Sequence, residues 1–260
     1  MEPAVRYDIL GPLRVVDGPD HSFITARKVE VLLTVLLVRA DQVVTPGQLM
    51  VEIWGDDPPR RASAGLHVYI SQLRKFLHRP GRPANPIVTQ QPGYLLRKGA
   101  DELDFETFLT LMDRGRILLR DGHHEEAADS FQRAADLWRG PMRSDMRIGP
   151  IVEGFVTWLA EARLECHELL AEALLQLGQH RELTGRLYAL SAENPLRETF
   201  YRQLMLALYR SERQADALRV YQTARKKLHD ELGLEPCRAL RELHHAILRD
   251  DGCLTLLAVS

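Results

Sequence analysis

The first twenty-five positions alternate in short bursts. Val5-Arg6-Tyr7-Asp8-Ile9-Leu10 sets apolar and polar residues in turn, and Leu13-Arg14-Val15-Val16 does so after the turn pair Gly11-Pro12. Period-two patterning bounded by Gly and Pro predicts strands. Asp17-Gly18-Pro19-Asp20 predicts a second turn, followed by a third strand over 21–25. The period then changes. Val29, Leu32, Leu33, Leu36 and Leu37 fall on one helical stripe, which predicts a helix capped by Thr25 and ending near Arg39. Thr45-Pro46, a cap followed by a first-turn proline, opens a short helix carrying Leu49, Met50 and Ile53. Trp54-Gly55-Asp56-Asp57-Pro58-Pro59 breaks it.

A longer amphipathic helix is predicted over 60–78. Leu66, Tyr69, Ile70, Leu73 and Leu77 share one face, with Phe76 at its edge. Arg60, Arg61, Ala64, His67, Val68, Ser71, Lys75 and Arg79 lie opposite. Pro80-Gly81-Arg82-Pro83 ends it, and two strands over 86–89 and 94–97 flank the turn Gln90-Gln91-Pro92-Gly93. From about Leu103 the pattern is almost wholly helical. Leu183, Leu187 and Leu190 are spaced as Ala217, Tyr221 and Ala224 are, 34 residues on, which is the tetratricopeptide period. Ala127, Phe131 and Ala134 form an earlier copy, set 56 residues before Leu183, so about 22 residues interrupt the array. The insertion is expected to hold Trp138-Arg139-Gly140-Pro141 and an irregular stretch to Pro150. Gly122 and Gly178 precede their copies by five residues, where a helix pair turns.

Composition alters this picture in one place. The 260 residues are 45% hydrophobic and 27% charged, ordinary for a folded chain. No apolar run reaches the roughly 18 residues of a membrane span, no signal peptide is visible at the start, and no membrane partner is expected. Cys166, Cys237 and Cys253 are scattered, which excludes a disulfide framework and a zinc ribbon and suits reduced thiols in a cytoplasm. Net charge is −2, but it is unevenly spread. Residues 1–98 carry 13 basic and 9 acidic side chains; residues 58–98 carry 8 basic ones (Arg60, Arg61, Arg74, Lys75, Arg79, Arg82, Arg97, Lys98) and no acid. Such a stretch is either a solvated face or the footprint of a polyanion. With Lys supplying only 5 of the 34 basic residues, a GC-rich genome is implied.

Catalytic signatures are missing. There is no phosphate-binding loop G-x-x-x-x-G-K-[ST], no G-x-G-x-x-G, no G-x-S-x-G and no H-E-x-x-H. His123-His124, His244-His245 and Cys166-His167 are adjacent pairs, which face different sides of a helix and cannot share a metal. Glu125-Glu126 and Asp250-Asp251 read as solvated charge. Neither an enzyme nor a cofactor is expected. The basic helix, by contrast, has the width to enter a DNA major groove. Arg60 and Arg61 stand at its start, where the helix dipole also favours phosphate, and His67, Ser71 and Lys75 are placed to reach bases. Val68 on that side would meet a thymine methyl or pack on the following hairpin.

These residues resemble a known family. Thr45-Pro46-x-x-Leu49…Ile53-Trp54-Gly55, Ala62…Leu66-x-x-Tyr69-Ile70-Ser71-x-Leu73-Arg74-Lys75 and Thr89…Pro92-Gly93-Tyr94-x-Leu96 resemble the winged helix-turn-helix domain of OmpR/PhoB-type regulators. Leu137-Trp138-Arg139-Gly140-Pro141, Leu177-Gly178-x-His180, Asn194-Pro195-Leu196-Arg197-Glu198, Leu204-Met205-Leu206-Ala207-Leu208-Tyr209-Arg210 and Asp230-Glu231-Leu232-Gly233-Leu234-Glu235-Pro236 resemble the bacterial transcriptional activator domain. Together they resemble a small SARP, a Streptomyces antibiotic regulatory protein.

The resemblance implies a mainly α chain: a winged helix-turn-helix domain with α+β character over 1–98, a tetratricopeptide-like helical domain over 99–250, and a tail over 251–260. It implies a cytoplasmic, nucleoid-associated activator of a secondary-metabolite gene cluster in an actinobacterium. Such an activator binds direct repeats in double-stranded DNA near the −35 element as a homodimer and recruits RNA polymerase through its sigma subunit. Residues 60–79 become the recognition helix and 87–96 the wing. DNA contacts are expected from Arg60, Arg61, His67, Val68, Ser71, Arg74, Lys75, Arg79, Gln90, Gln91 and Tyr94. Trp54, Asp56 and Asp57 belong to the loop expected to face polymerase. The wing tip is Gln90-Gln91 where the family often has arginine, which leaves phosphate hydrogen bonds as its role. A repressor or ligand-gated regulator with the same DNA contacts, and a helical-repeat adaptor for proteins, remain alternatives.

Overall fold

A computed structural model describes residues 5–79, 84–140 and 149–249. Expectations placed on Pro80-Gly81-Arg82-Pro83, Pro141, Asp250-Asp251, Cys253 and the tail lie outside the described residues. The chain is mainly helical with a small N-terminal sheet. Strands β1 (Arg6–Asp8), β2 (Arg14–Asp17) and β3 (Asp20–Ser22) precede helices α1 (Arg27–Val38), α2 (Pro46–Trp54) and α3 (Ala62–Phe76). The hairpin β4 (Ile87–Gln90) and β5 (Gly93–Leu96) follows, then a short β6 (Glu102–Leu103). The remainder is α4 (Asp104–Arg120), α5 (His124–Asp136), α6 (Pro150–Gln176), α7 (His180–Glu193), α8 (Glu198–Arg210), α9 (Gln214–Leu232) and α10 (Arg238–Leu248). Among the described residues no helix is long and apolar enough to cross a membrane.

Two compact units result. The first combines residues up to 110 with 134–163, and the second combines 111–133 with 164 onward. In the first unit the sheet order is β3-β2-β1-β6, with β6 parallel to β1. At two residues β6 is too short to show in the sequence, yet it brings two carboxylates to β1. Asp101 accepts from the Val5 amide at 3.0 Å, and Asp104, the first residue of α4, accepts from the Ile9 and Leu10 amides at 2.8 and 2.9 Å. Helix α1 is buried almost all round, from Val29 to Leu37, so the five-residue stripe understates its burial. Its N-cap is Ala26, not Thr25: the Ala26 carbonyl takes the Val29 and Glu30 amides, and no side chain caps the turn. Helix α2 opens as predicted, with Thr45 and Gln48 bonded reciprocally in a capping box.

Two contacts join later residues to this core. Glu52 of α2 is buried, and its carboxylate accepts from the Ile151 amide at 2.7 Å and the Val152 amide at 3.3 Å. It thereby satisfies amides of the first turn of α6 that have no intrahelical partner. The Trp138-Arg139 pair folds onto β1 and the turn after it. The Arg139 amide donates to the Leu10 carbonyl at 2.9 Å and its guanidinium to the Pro12 carbonyl at 2.9 Å. Trp138 meets Phe108 edge-on, with the Arg163 guanidinium 5.0 Å from its ring centroid. The irregular stretch was expected to run to Pro150, and α6 begins there and runs for 27 residues.

Burial pushes the Asp104 carboxyl up to about 6, against the opposing pull of the Ile9 and Leu10 amides, with Asp8 adding to the rise and Arg139 resisting it. A carboxyl that binds its proton more tightly in the folded state contributes stability that is complete below about pH 4. That contribution is lost as pH rises through about 6. The stability of the natural chain relative to Asp104→Asn, read from urea midpoints, should therefore grow as pH falls from 8 to 5. A difference flat across that range would contradict it.

The second unit carries the repeat. The marked positions Ala127, Phe131, Leu183, Leu187, Leu190, Ala217, Tyr221 and Ala224 are all buried on α5, α7 and α9. Three turns precede them with one geometry. The amides of Gly122, Gly178 and Glu212 donate three residues back, and those of His123, Gln179 and Arg213 five residues back. This is the Schellman closure, with its left-handed residue at φ 81°, 74° and 62° respectively. Glu212 holds the third such place although it has a Cβ, which is why a glycine search misses that copy. An L-residue there is strained by about 1–2 kcal/mol. Glu212→Gly is thus expected to raise stability by about 0.5–1 kcal/mol, read as a higher denaturant midpoint with unchanged slope; a lower midpoint would count against the shared geometry.

Candidate nucleic-acid interface

Helix α3 is held by its apolar stripe. Ala62, Leu66, Ile70 and Leu73 are buried, with Leu77 just past the end. The helix starts two residues later than its period suggested. Arg60 and Arg61 lie in the turn leading into it, closed by the Ala62 amide on the Pro59 carbonyl at 2.8 Å. Arg61 is the N-cap residue and its side chain makes no cap hydrogen bond. Both arginines are exposed, and so are His67, Val68, Ser71 and Lys75. Val68 is 53% exposed, so it does not pack on the hairpin.

The hairpin is pinned beside α3. Gln90 pairs with Gly93, which narrows the loop to Gln91-Pro92 and leaves Gln90 and Gln91 exposed at the tip. Tyr94 and Val44 exchange backbone hydrogen bonds at 2.8 and 3.0 Å, an isolated bridge that ties the segment before α2 to the hairpin. A Cβ on Gly93 would collide with the Val44 carbonyl oxygen, so this close approach requires glycine.

Four residues expected to contact DNA or polymerase are occupied differently. Arg74 is half-buried; it donates to the Ile87 carbonyl at 3.1 Å and to the Thr89 hydroxyl at 2.7 Å, bracing the hairpin against α3. Arg79 pairs with Asp17 at 2.8 Å and donates to the Phe76 carbonyl, which ties the end of the helix to the β2–β3 turn. Tyr94 is only 6% exposed and its hydroxyl lies 3.0 Å from His67 Nδ1, so it sits beneath the outward face. Trp54 is half-buried between Tyr69, at 5.8 Å between ring centroids, and the Lys28 ammonium at 5.2 Å, while Asp56 and Asp57 stay exposed. The helical phase set Arg79 but not Arg74 on the outward face, whereas α3 ends at Phe76 and both side chains have protein partners. Their length lets them reach back to partners the period cannot show.

Asn85 was not legible as a site residue. Its amide donates to the Arg74 carbonyl at 2.7 Å and its oxygen takes the Ile87 amide at 3.0 Å, locking the wing to α3. An Asn between two prolines just before a strand is the available signal. Elsewhere His244 and Cys166 are packed among other side chains. His244 stacks on Tyr221 with ring centroids 3.8 Å apart, and buried Cys166 donates to the Phe131 carbonyl. Among the described residues no group of three His, Cys, Asp or Glu is placed to hold a metal.

A helix–turn–helix with a braced β-hairpin beside its second helix, followed by a helical-pair array, defines a winged helix-turn-helix regulator with a tetratricopeptide-like domain. Residues 23–96 match the family model described as "Transcriptional regulatory protein, C terminal", and residues 103–248 match the bacterial transcriptional activator domain. The chain belongs to the SARP family of transcriptional regulators. It is 35% identical over 253 residues to the regulatory protein DnrI of Streptomyces peucetius, covering 95% of this chain and 93% of that protein. It is 36% identical over 258 residues to the regulatory protein AfsR of Streptomyces coelicolor, of whose length it spans about a quarter. The solved structure of Mycobacterium tuberculosis EmbR in complex with a low affinity phosphopeptide superposes with a TM-score of 0.88 at 30% identity, covering 99% of this chain and 69% of that one.

Proposed function

We propose that this chain is a sequence-specific, DNA-binding activator of a secondary-metabolite gene cluster. The observation that carries the reading is one row of exposed side chains. Arg60, Arg61, His67, Ser71 and Lys75 leave α3 and its leading turn toward solvent, within a stretch of sequence free of acids. Arg60 and Arg61 meet phosphate, Lys75 and Ser71 meet base edges, and exposed Val68 meets a thymine methyl. Gln90 and Gln91 at the wing tip supply phosphate hydrogen bonds. The chain binds direct repeats as a homodimer, and exposed Asp56 and Asp57, on a loop anchored by Trp54, face the sigma subunit of RNA polymerase. The membership in a family of antibiotic regulators supports the target class. Residues 1–98 are proposed as the DNA-binding part and 99–250 as the part that holds two protomers on adjacent sites.

Titrating a promoter duplex at several salt concentrations tests the contacts. If one protomer neutralises about four phosphates, the log–log slope should be near −4. Arg60→Ala should weaken every sequence alike and make that slope shallower by about one unit. Lys75→Ala should cost about 1–3 kcal/mol on the preferred site and little on a scrambled one. A slope near zero removes DNA from the account, and in-vitro transcription with the bound site upstream of −35 separates activation from repression.

A further inference from the structure

His67 stands on the outward face of α3, and Tyr94 lies under it in β5. The Tyr94 hydroxyl and His67 Nδ1 are 3.0 Å apart, and the rings meet edge-on at 75°. The position of the proton follows from what each group can offer. A buried phenol must place its O–H on an acceptor. Tyr94 is buried, and the acceptor its hydroxyl reaches among the described residues is His67 Nδ1. If Nδ1 held a hydrogen and donated it, the phenol hydrogen would have no acceptor among the described residues. With Nδ1 accepting, a neutral imidazole carries its hydrogen on Nε2.

We propose that Tyr94 fixes the tautomer of His67 so that Nε2–H is a directed donor, and that this donor reads guanine N7 in the major groove. The proposal rests on the DNA-binding reading above and adds a specificity residue and the base it selects. Guanine shows two acceptors and no donor on that edge, whereas cytosine shows a donor. A fixed donor therefore accepts the first and rejects the second. Lys75, which can only donate, lies two turns further along the same face, about 12 Å at 1.5 Å per residue. The outward face thus offers hydrogen-bond hydrogens at both ends, with Ser71 between them able to do either. Without Tyr94 the ring could present either a donor or an acceptor outward, and the choice of base would blur. Tyr94 is a positioning residue in this scheme and touches no DNA.

Two measurements test it on the full chain. In the first, the ring nitrogens of His67 are observed by 15N NMR in the free protein. The natural chain should show an unprotonated Nδ1 and a protonated Nε2, and Tyr94→Phe should show a mixture of tautomers. In the second, the best-bound duplex is selected from a random-sequence library, and each guanine in it is replaced in turn by 7-deazaguanine. One replacement should weaken the natural chain about three- to tenfold, the worth of one hydrogen bond. The same replacement should have no further effect on His67→Ala and a reduced effect on Tyr94→Phe. Melting midpoints confirm that both variants are folded. A hydrogen found on Nδ1 overturns the proposal. So does a His67→Ala variant that weakens selected and scrambled duplexes equally, which would mark a phosphate contact, or a selected site in which no guanine is sensitive. A library that yields no enriched sequence overturns sequence-specific DNA recognition itself, and the base contact with it.

Discussion

A fragment ending at Lys98 is expected to show no cooperative unfolding transition in urea. It would contain every residue of the winged helix-turn-helix pattern and still lack what its core rests on. The amides of Val5, Ile9 and Leu10 would lose Asp101 and Asp104. The buried carboxylate of Glu52 would lose the amides of Ile151 and Val152. Each stranded amide costs about 1–3 kcal/mol, and an unpaired buried carboxylate about 3–5 kcal/mol. Together these rival the whole stability of a domain, about 5–15 kcal/mol. Circular dichroism against urea, with the spread of amide proton shifts, reads the outcome. A sharp transition with dispersed shifts would show that the helices after Lys98 are dispensable to this core. In the full chain, Glu52→Ala should lower stability by about 2–4 kcal/mol, since it leaves two amides at a helix start without an acceptor.

The second large effect separates packing from reading on one helix. Leu73 is fully buried, whereas Lys75 is exposed two residues away. Leu73→Ala should cost about 2–5 kcal/mol of folding stability. It should lose DNA binding only in step with unfolding, so that affinity returns where the variant is still folded. Lys75→Ala should change stability by under about 0.5 kcal/mol and lose only the preferred site. The reverse result would mean that the two faces of α3 have been exchanged.

Periodicity made much of this legible. The stripe Leu66, Ile70, Leu73 and the capping box at Thr45 are local, and local pattern suffices for them. So is the spacing of Ala127, Leu183 and Ala217, because each repeat buries the same face. The sequence hid what depends on distant chain. Nothing near Glu52 announces that it will cap a helix 99 residues away, and nothing near Tyr94 announces that its hydroxyl will meet His67. Long side chains were misread for a related reason. Arg74 and Arg79 were expected to contact DNA, but their guanidinium groups bond Thr89 and Asp17. Charge counting alone therefore overstated how many cations are presented by the acid-free stretch.

The three turns at Gly122, Gly178 and Glu212 share one backbone closure. Their shape favours glycine at the left-handed place and depends strictly on how many residues they contain. Adding one residue between α8 and α9 would rotate α9 by about 100° about its axis. That would turn Ala217, Tyr221 and Ala224 away from α8 and put Asp216 in the buried place of Ala217. Away from the left-handed place these junctions tolerate substitution, while they tolerate neither insertion nor deletion. The array should therefore record its history as changes of letter at constant length.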